Sequence, residues 1–250
     1  RLQGGLQRDA RQLLGGDAVI SSDNKPPAAF EERARALGLQ VVHTLGFPTM
    51  ARASDAQGGA AKLVALKTVE AGYPLRGTLR ISQSPDTPDT PTKDIPAPGQ
   101  AWVDAALLDA IGIQVGDPIL LGDVQLKVGA ILVIEPDRGG GFMNFAPRVM
   151  LNEADIAATG LIQPASRLSY RMAVAGPEAA VKTYVEWADA QVKSSVRGVW
   201  VESLESGRPE MSQTLDRANK FLSLVALLAA LLSAVAVALA ARAFAAHHLD

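Results

Sequence analysis

Cysteine is absent from this chain of 250 residues, and histidine is scarce. The lack of cysteine excludes disulfides, thiolate metal sites and cysteine nucleophiles. Of the three histidines, His43 falls inside a predicted strand, where a half-buried structural residue is expected, and the other two lie close to the C-terminus. A Ser-His-Asp triad or a clustered histidine metal site in the globular part is therefore not supported.

An excess of charge of either sign is also missing. Lysine and arginine total 24 against 26 acidic residues, which gives a formal net charge of −2, and the basic residues are scattered along the chain. Because a basic patch is the usual electrostatic mark of a nucleic-acid-binding surface, nucleic acid is not expected as a partner.

Motifs for catalysis and phosphate binding are lacking too. The chain has neither a GxxxxGK[ST] phosphate loop nor a GxSxG nucleophile elbow, and the glycines after Arg138 are not followed by Lys-Ser/Thr. The acidic residues Asp86, Asp89 and Asp94 lie in a proline-rich stretch, which favours a solvated loop over a calcium site. No catalytic residue, metal ligand or cofactor is predicted, so the chain is expected to be non-catalytic.

One long uncharged run lies near the C-terminus. Residues 221–241, between Lys220 and Arg242, have the sequence FLSLVALLAALLSAVAVALAA and contain eleven Leu, Val and Phe residues. As a helix the run would span roughly 31 Å, which matches the hydrocarbon core of a bilayer, and its insertion would be favourable by roughly 5 kcal/mol. The pattern predicts a transmembrane helix over 221–241, followed by a cytoplasmic stub over 242–250.

Small residues recur along one stripe of this helix. Alanine occupies every fourth position at Ala226, Ala230, Ala234 and Ala238. A stripe of this kind lets a second helix approach closely, so we expect contacts with other transmembrane helices of the same protein. The alternative, an alanine-rich span with no partner, remains open.

The segments that flank the globular part are predicted to connect it to the membrane. Residues 207–220 form a predicted stalk helix, in which Ala218 and Asn219 are the positions where flexibility would break mechanical coupling. Residues 1–16 are predicted to be helical up to Gly15-Gly16, because leucine and alanine side chains share one face. Since the chain starts at Arg1 rather than at a methionine, we expect a piece of a longer protein, with a first span before Arg1.

The globular part contains two predicted βαβ units. The first has strands at 17–22 and 40–47 around a helix over 26–37, and it is followed by strands at 62–69 and 78–82. The second has strands at 167–174 and 196–203 around a helix over 177–192. Two such units around an insertion are typical of a split ferredoxin-like α+β sandwich. The predicted parts of this subdomain are residues 17–83 and 161–206.

The insertion, residues 84–160, is predicted to be a small β-rich subdomain. It begins with the proline-rich segment 84–98, which is expected to be an exposed, extended linker. A helix capped by Asp104 and ending at Ile111 follows. Strands are predicted at 118–121, 124–128, 130–134 and 148–151, and a helix capped by Asn152 ends near Gly160.

A glycine-rich loop in this insertion carries exposed apolar residues. Its candidate contact residues are Arg138, Phe142, Met143 and Phe145. Apolar side chains on a flexible tip could hold a lipid chain or a partner protein. The alternative, in which the aromatic side chains fold back onto their own subdomain, is equally open.

Seven short motifs in order along the chain resemble a known family, the YbbP-type permeases of the FtsX/MacB/LolC superfamily of ABC transporters. The motifs are Leu14-Gly15-Gly16-Asp17, Phe47-Pro48-Thr49-Met50-Ala51, Tyr73-Pro74-Leu75-Arg76-Gly77, Trp102-Val103-Asp104, Glu135-Pro136-Asp137-Arg138-Gly139, Pro147-Arg148-Val149-Met150 and Ser166-Arg167-Leu168-Ser169-Tyr170-Arg171. The resemblance covers essentially the whole chain.

The resemblance implies a fold and a set of partners. It implies a periplasmic domain, with a porter-type subdomain and a sabre-type insertion, carried between the first two transmembrane helices of a permease in the bacterial inner membrane. It implies a homodimeric cytoplasmic ABC ATPase, which would dock on segments beyond this chain, and a periplasmic thioesterase-like lipid hydrolase. The expected function is to couple ATP hydrolysis to extraction or export of a hydrophobic, lipid-like substrate by mechanotransmission. The alternative is a transmembrane signalling scaffold that activates or docks a periplasmic hydrolase.

Overall fold

The computed structural model describes residues 9–139, 145–194, 196–204 and 223–237. The chain divides into two compact units, Arg1–Leu204 and Glu205–Asp250. The described part of the first unit contains eleven strands, at Ala18–Ser22 (β1), Gln40–Ala53 (β2), Ala61–Val69 (β3), Leu79–Ser82 (β4), Thr90–Thr92 (β5), Gln100–Val103 (β6), Pro118–Leu121 (β7), Val124–Ile134 (β8), Arg148–Asn152 (β9), Ser169–Ala175 (β10) and Val199–Ser203 (β11).

Helices connect several of these strands. The α-helices are Ala28–Ala36 (α1), Ala105–Ile111 (α2), Glu153–Ile156 (α3) and Glu178–Ser194 (α4), and short 3₁₀ turns lie at Asp55–Gln57 and Ala157–Thr159. Residues 9–14 are also helical. The predicted α+β composition is confirmed, and the Asn152 side chain caps α3 by accepting a hydrogen bond from the backbone N–H of Ala154.

The sheet differs from the prediction at four places, one of which is strand β6, where no strand was predicted. Strand β2 continues past Pro48 to Ala53. The residues around Pro48 pair with β3 alone, so the N–H that proline lacks is not needed for a hydrogen bond to a strand on the opposite side of β2. Strand β8 is continuous where two strands were predicted, since Gly129 is accommodated as a bulge opposite β6. Strand β5 lies inside the proline-rich segment and pairs with β4, so this segment is not wholly an unpaired linker.

The strands form one mixed sheet in the order β11-β1-β10-β2-β3-β9-β6-β8-β4-β5. All of these pairs are antiparallel except β3–β9 and β6–β8. Strand β7 pairs with both β2 and β8, so the strands β2, β3, β9, β6, β8 and β7 complete a closed circuit. Strands β2 and β3 come from the predicted first part of the ferredoxin-like subdomain, yet they belong to the same circuit as strands of the predicted insertion.

Three hydrophobic clusters follow the two faces of this sheet. The first lies within the circuit, where Leu66, Val103 and Leu151 pack with α2. The second lies between the strands β11, β1, β10 and β2 and the helices α1 and α4. The third lies on the opposite face of the central strands and includes Tyr73 and Met150. Alternate residues of each central strand enter different clusters, as the two-residue period of a strand requires.

The second unit is described only over residues 223–237, which are helical. Among the described residues, no helix combines the length and the apolar character needed to cross a membrane. The predicted span over 221–241 is not confirmed, and its first two and last four residues lie outside the described residues.

Candidate functional site

A lysine in the middle of strand β3 is the centre of a buried polar cluster. The Lys67 ammonium group lies 2.9 Å from a carboxylate oxygen of Glu135 and 2.9 Å from one of Asp137, and it donates to the Tyr73 hydroxyl at 2.8 Å. The Tyr73 hydroxyl in turn donates to Asp137. The Lys67 side chain is 7% exposed, so its positive charge is satisfied by protein groups rather than by water.

Arg148, the first residue of β9, completes this cluster. Its Nε donates to the second carboxylate oxygen of Glu135 at 2.7 Å, and its Nη1 donates to the backbone carbonyl of Ala65 at 3.3 Å. The Glu135 side chain is fully buried and joins two cations through its two oxygens. We call Lys67, Tyr73, Glu135, Asp137 and Arg148 the ionic network.

The ionic network shifts the pKa values of Glu135 and Tyr73 in opposite directions. Burial alone would raise the pKa of Glu135, but the nearby Lys67 and Arg148 outweigh it and lower that pKa to about 2. Burial and the adjacent Asp137 and Glu135 raise the pKa of Tyr73 well above its usual value. Because Glu135 stays ionised and Tyr73 stays neutral at physiological pH, these two groups are suited to holding the segment after β8 in place rather than to proton transfer.

A second set of ion pairs extends the ionic network on one side. Arg138 makes a two-pronged contact with the Asp104 carboxylate, at 2.6 and 3.1 Å, and it donates to the backbone carbonyl of Ala146. The same Asp104 carboxylate accepts the backbone N–H of Arg148 at 2.8 Å. The start of α2, the start of β9 and the segment after β8 are therefore bound together at Asp104.

Asp17 forms a similar junction beside the N-terminal helical segment. Its carboxylate accepts two hydrogen bonds from Arg76, at 2.7 and 3.0 Å, and one from the backbone N–H of Gly176 at 3.0 Å. Arg11, within the helical residues 9–14, lies 3.5 Å from the same carboxylate. Asp17 itself is 5% exposed. This carboxylate thus ties the N-terminal segment to the turn after β3 and to the end of β10.

Two glycines allow the polypeptide to pass close to the ionic network. A Cβ atom on Gly15 would lie 3.0 Å from the Asp137 side chain, and one on Gly77 would lie 2.7 Å from Pro136. Both glycines have positive φ angles, +72° and +87°, which side chains rarely tolerate. The chain therefore needs glycine at these positions for space as well as for conformation.

Five of the seven motifs that carry the family resemblance meet in this region. They supply nearly all of its charged groups. Two of these motifs end in Asp17 and Gly77, one ends in Asp104, and two contain Glu135 and Arg148. Of these residues, only Arg138 was predicted from the sequence to be a contact residue. One sequence signal could have located the ionic network. Lys67 is the only charged residue in the apolar strand sequence LVALKTV, and a buried lysine requires a buried counter-charge.

The other predicted site residues have different outcomes. Arg138 is bound to Asp104, and Phe145 is 84% exposed. The remaining loop candidates, Phe142 and Met143, lie outside the described residues. The same holds for the predicted coupling pair Ala218 and Asn219, and for one alanine of the predicted packing stripe, Ala238. The other three alanines of that stripe, at 226, 230 and 234, are exposed on the helix over 223–237.

A cleft of about 700 Å³ borders the ionic network. Lys67, Asp137 and Arg148 line it together with the apolar side chains of Phe47 and Leu168. Across the described ranges, no group of three or more His, Asp or Glu side chains is placed to hold a metal ion.

Comparisons with known proteins extend the resemblance beyond the motifs. The chain is 32% identical over 240 residues to the uncharacterized ABC transporter permease YbbP of Escherichia coli (strain K12). The alignment covers 96% of this chain but only 28% of that protein. No family model matches the chain. The predicted resemblance to YbbP-type permeases is confirmed.

Two solved structures show a distant likeness to this chain. One is a domain of a protein assigned as a permease from Porphyromonas gingivalis, with 12% identity and a TM-score of 0.42 over 75% of this chain and 88% of that chain. The other is the extracellular domain of the ABC-type transporter YknZ from Gram-positive bacteria, with 10% identity and a TM-score of 0.44 over 74% of this chain and all of that chain. These likenesses are too distant to carry a functional argument.

Proposed function

Because this chain is a homologue of the YbbP-type ABC transporter permeases over 96% of its length, we propose that it is the extracytoplasmic part of a permease subunit. In this role the chain hydrolyses no ATP itself. A separate homodimeric ABC ATPase in the cytoplasm binds the rest of the permease and supplies the energy. The full protein lies in the bacterial inner membrane, with the residues of the first unit in the periplasm and residues 221–241 as a transmembrane helix.

The mechanism that we propose is mechanical coupling, and the junction at Asp17 is the observation that supports it. A movement that enters through the N-terminal segment can do work on the domain only if that segment is fastened to it. The Asp17 carboxylate accepts three hydrogen bonds, from Arg76 and Gly176, and Arg11 lies beside it. Charge-assisted hydrogen bonds are shorter and stronger than neutral ones, so these contacts fasten the N-terminal segment to the domain.

The proposed cargo is a hydrophobic, lipid-like molecule, which a periplasmic thioesterase-like hydrolase would receive. The ferredoxin-like reading of residues 17–83 and 161–206 belongs to the same proposal. It is supported by the strand order β11-β1-β10-β2, in which every pair is antiparallel. The helices α1 and α4 both pack against these four strands in the second hydrophobic cluster. The sabre-type reading of the insertion is proposed with it.

Native mass spectrometry of the full-length permease, purified in detergent together with its ATPase, tests this function. We expect a complex that holds two copies of the ATPase and releases an apolar small molecule on activation in the gas phase. An Asp17→Asn permease should hydrolyse ATP but deliver less of that molecule. A permease that binds no ATPase, or that carries only polar solutes, would contradict the proposal.

The proposed orientation has a separate test. Thr90 lies in exposed strand β5, and the chain contains no native cysteine. A Thr90→Cys permease should react with a membrane-impermeant maleimide in intact spheroplasts. Labelling that appears only after lysis would place the domain on the cytoplasmic side.

A further inference from the structure

Two of the seven family motifs lie outside the ionic network. They are the motifs at residues 47–51 and 166–171. Both line the cleft of about 700 Å³ that borders the ionic network, the first through Pro48 and the second through Arg167 and Arg171. The residues that carry the family resemblance therefore surround this cleft as well as the network, and neither the ionic network nor the junction at Asp17 accounts for it.

The floor of the cleft changes from charged to apolar along strands β2 and β3. Three directly opposed pairs, two residues apart along each strand, share one face: Gly46 with Lys67, Pro48 with Ala65, and Met50 with Leu63. The first two pairs line the cleft, and the third continues past it with both side chains about half exposed. We call Pro48, Ala65, Met50 and Leu63 the apolar stripe. From Gly46 to Met50 the strand rises about 13 Å.

Hydrogen-bond donors gather at the polar end of this floor. Ser169 of β10 lies directly opposite Gly46, so Ser169 and Arg171, two residues farther on, share the face of the apolar stripe. The Arg171 guanidinium donates to Glu202 through Nη1 at 3.1 Å, and its other N–H groups have no acceptor within the described ranges. Arg167, just before β10, is exposed and makes no ion pair with any residue that the structure describes.

The charges of the cleft favour an anionic ligand group. Three of its cations are already bound to carboxylates, namely Lys67, Arg138 and Arg148. One lining carboxylate, Asp23, makes no ion pair in the described part of the chain, but it follows β1, which flanks β10 on the side away from β2. The polar end nearest the apolar stripe thus offers Arg167 and the unused N–H groups of Arg171, which are suited to carboxylate or phosphate oxygens.

We infer that the cleft binds a single-chain anionic amphiphile, with its carboxylate or phosphate at Arg167 and Arg171 and its acyl chain along the apolar stripe. A volume of about 700 Å³ lies in the range of sites for one small ligand, about 300–1,000 Å³. It suits one acyl chain better than the two chains of a phospholipid. The role of this ligand as cargo rests on the proposed function, whereas binding itself needs neither ATP nor the ATPase.

Gly46 offers a way to fill the cleft without disturbing the fold. A Cβ atom at this position would meet only the Leu66 carbonyl oxygen, at 3.6 Å, which is an ordinary contact. The φ angle of Gly46 is not positive, and valine is favoured in strands, so Gly46→Val should fold as stably as the original chain. The new methyl groups would occupy the polar end of the floor, between Ser169 and Lys67.

Isothermal titration calorimetry on the 250-residue chain in phosphatidylcholine nanodiscs tests the site, with empty nanodiscs as the blank. We expect saturable binding of decyl phosphate or of decanoate, one molecule to one chain. The tighter of the two identifies the head group as phosphate or carboxylate. Inorganic phosphate has no chain and decanol has no charge, so neither should bind measurably at the same concentrations.

Two variants locate the site, and a third is the matched control. Gly46→Val and Arg167→Gln should each weaken binding by about tenfold or more. Arg35→Gln removes an exposed arginine from α1, which packs on the other face of β10, and it should leave binding unchanged. Circular dichroism checks that each variant is folded, and the exposed position of Arg167 makes its replacement safe for the fold.

Three results would overturn this inference: no saturable binding, equal affinity for decanol or inorganic phosphate, or unchanged binding in both Gly46→Val and Arg167→Gln. Each of them leaves the proposed transport standing. Conversely, a full-length permease that binds the amphiphile at this cleft but transports no apolar molecule contradicts the proposed function and supports the site.

Discussion

Replacement of Glu135 by glutamine is the sharpest test of the ionic network. The substitution keeps the size of the side chain and removes the charge that Lys67 and Arg148 share, at 2.9 and 2.7 Å. A pKa lowered from 4.5 to about 2 corresponds to about 3 kcal/mol of stabilisation by the ionised form. Breaking a buried ion pair by removing one partner costs a similar amount, about 3–5 kcal/mol. We expect Glu135→Gln to lower the unfolding temperature by about 6–12 °C.

The pH dependence gives the same prediction an independent check. Glu135 has a depressed pKa in the folded chain, so its contribution is complete above about pH 4.5 and is lost as the pH falls towards 2. The difference in unfolding temperature between the original chain and Glu135→Gln should thus be largest at neutral pH and shrink below pH 4.5. Thermal unfolding followed by circular dichroism in detergent measures both quantities.

A matched control separates this effect from the loss of any surface charge. Glu32 is exposed on α1, and Glu32→Gln should change stability by no more than about 0.5 kcal/mol. A Glu135→Gln chain that unfolds within 2 °C of the original, or a difference that is the same at pH 3 and pH 7, would refute the assignment of Glu135 as the shared counter-charge.

Three further predictions concern packing, the membrane and coupling. Gly122→Ala should lower the free energy of unfolding by about 1–3 kcal/mol, because the new Cβ would lie 2.0 Å from the Thr159 carbonyl oxygen. Gly112 also has a positive φ but has open space around it, so Gly112→Ala should lower the free energy of unfolding by only about 1 kcal/mol. Urea unfolding measures both values. Leu231→Arg should weaken membrane insertion by about 2.5–3.5 kcal/mol, and a chain that fractionates as soluble without detergent would disprove the transmembrane helix. Changing Ala218-Asn219 to Gly-Gly should leave ATP hydrolysis by the assembled complex intact while reducing transport, and full transport in that variant would argue against mechanical coupling.

The sequence predicted most of the secondary structure because the relevant signals are local. Strand β3 was found from its β-branched and aliphatic residues, and α4 from apolar side chains at helical spacing. The errors fall where tertiary contacts overrule local preference. Pro48 sits inside β2 because one side of that strand is unpaired there, and Thr90–Thr92 form a strand because β4 offers a partner. Neither pairing leaves a mark in the neighbouring sequence.

The amino-acid sequence by itself determined the α+β composition, the order of most of the elements and the resemblance to YbbP-type permeases, because periodicity, capping residues and short motifs are properties of neighbouring positions. Only the tertiary structure decided that β7 closes a circuit with β2 and β8, and that the motifs around Asp17, Tyr73, Asp104, Glu135 and Arg148 meet at one place. Lys67 and Glu135 are 68 residues apart along the chain. Their contact depends on which strands become neighbours, and strand neighbours are selected by burial and pairing across the whole sheet.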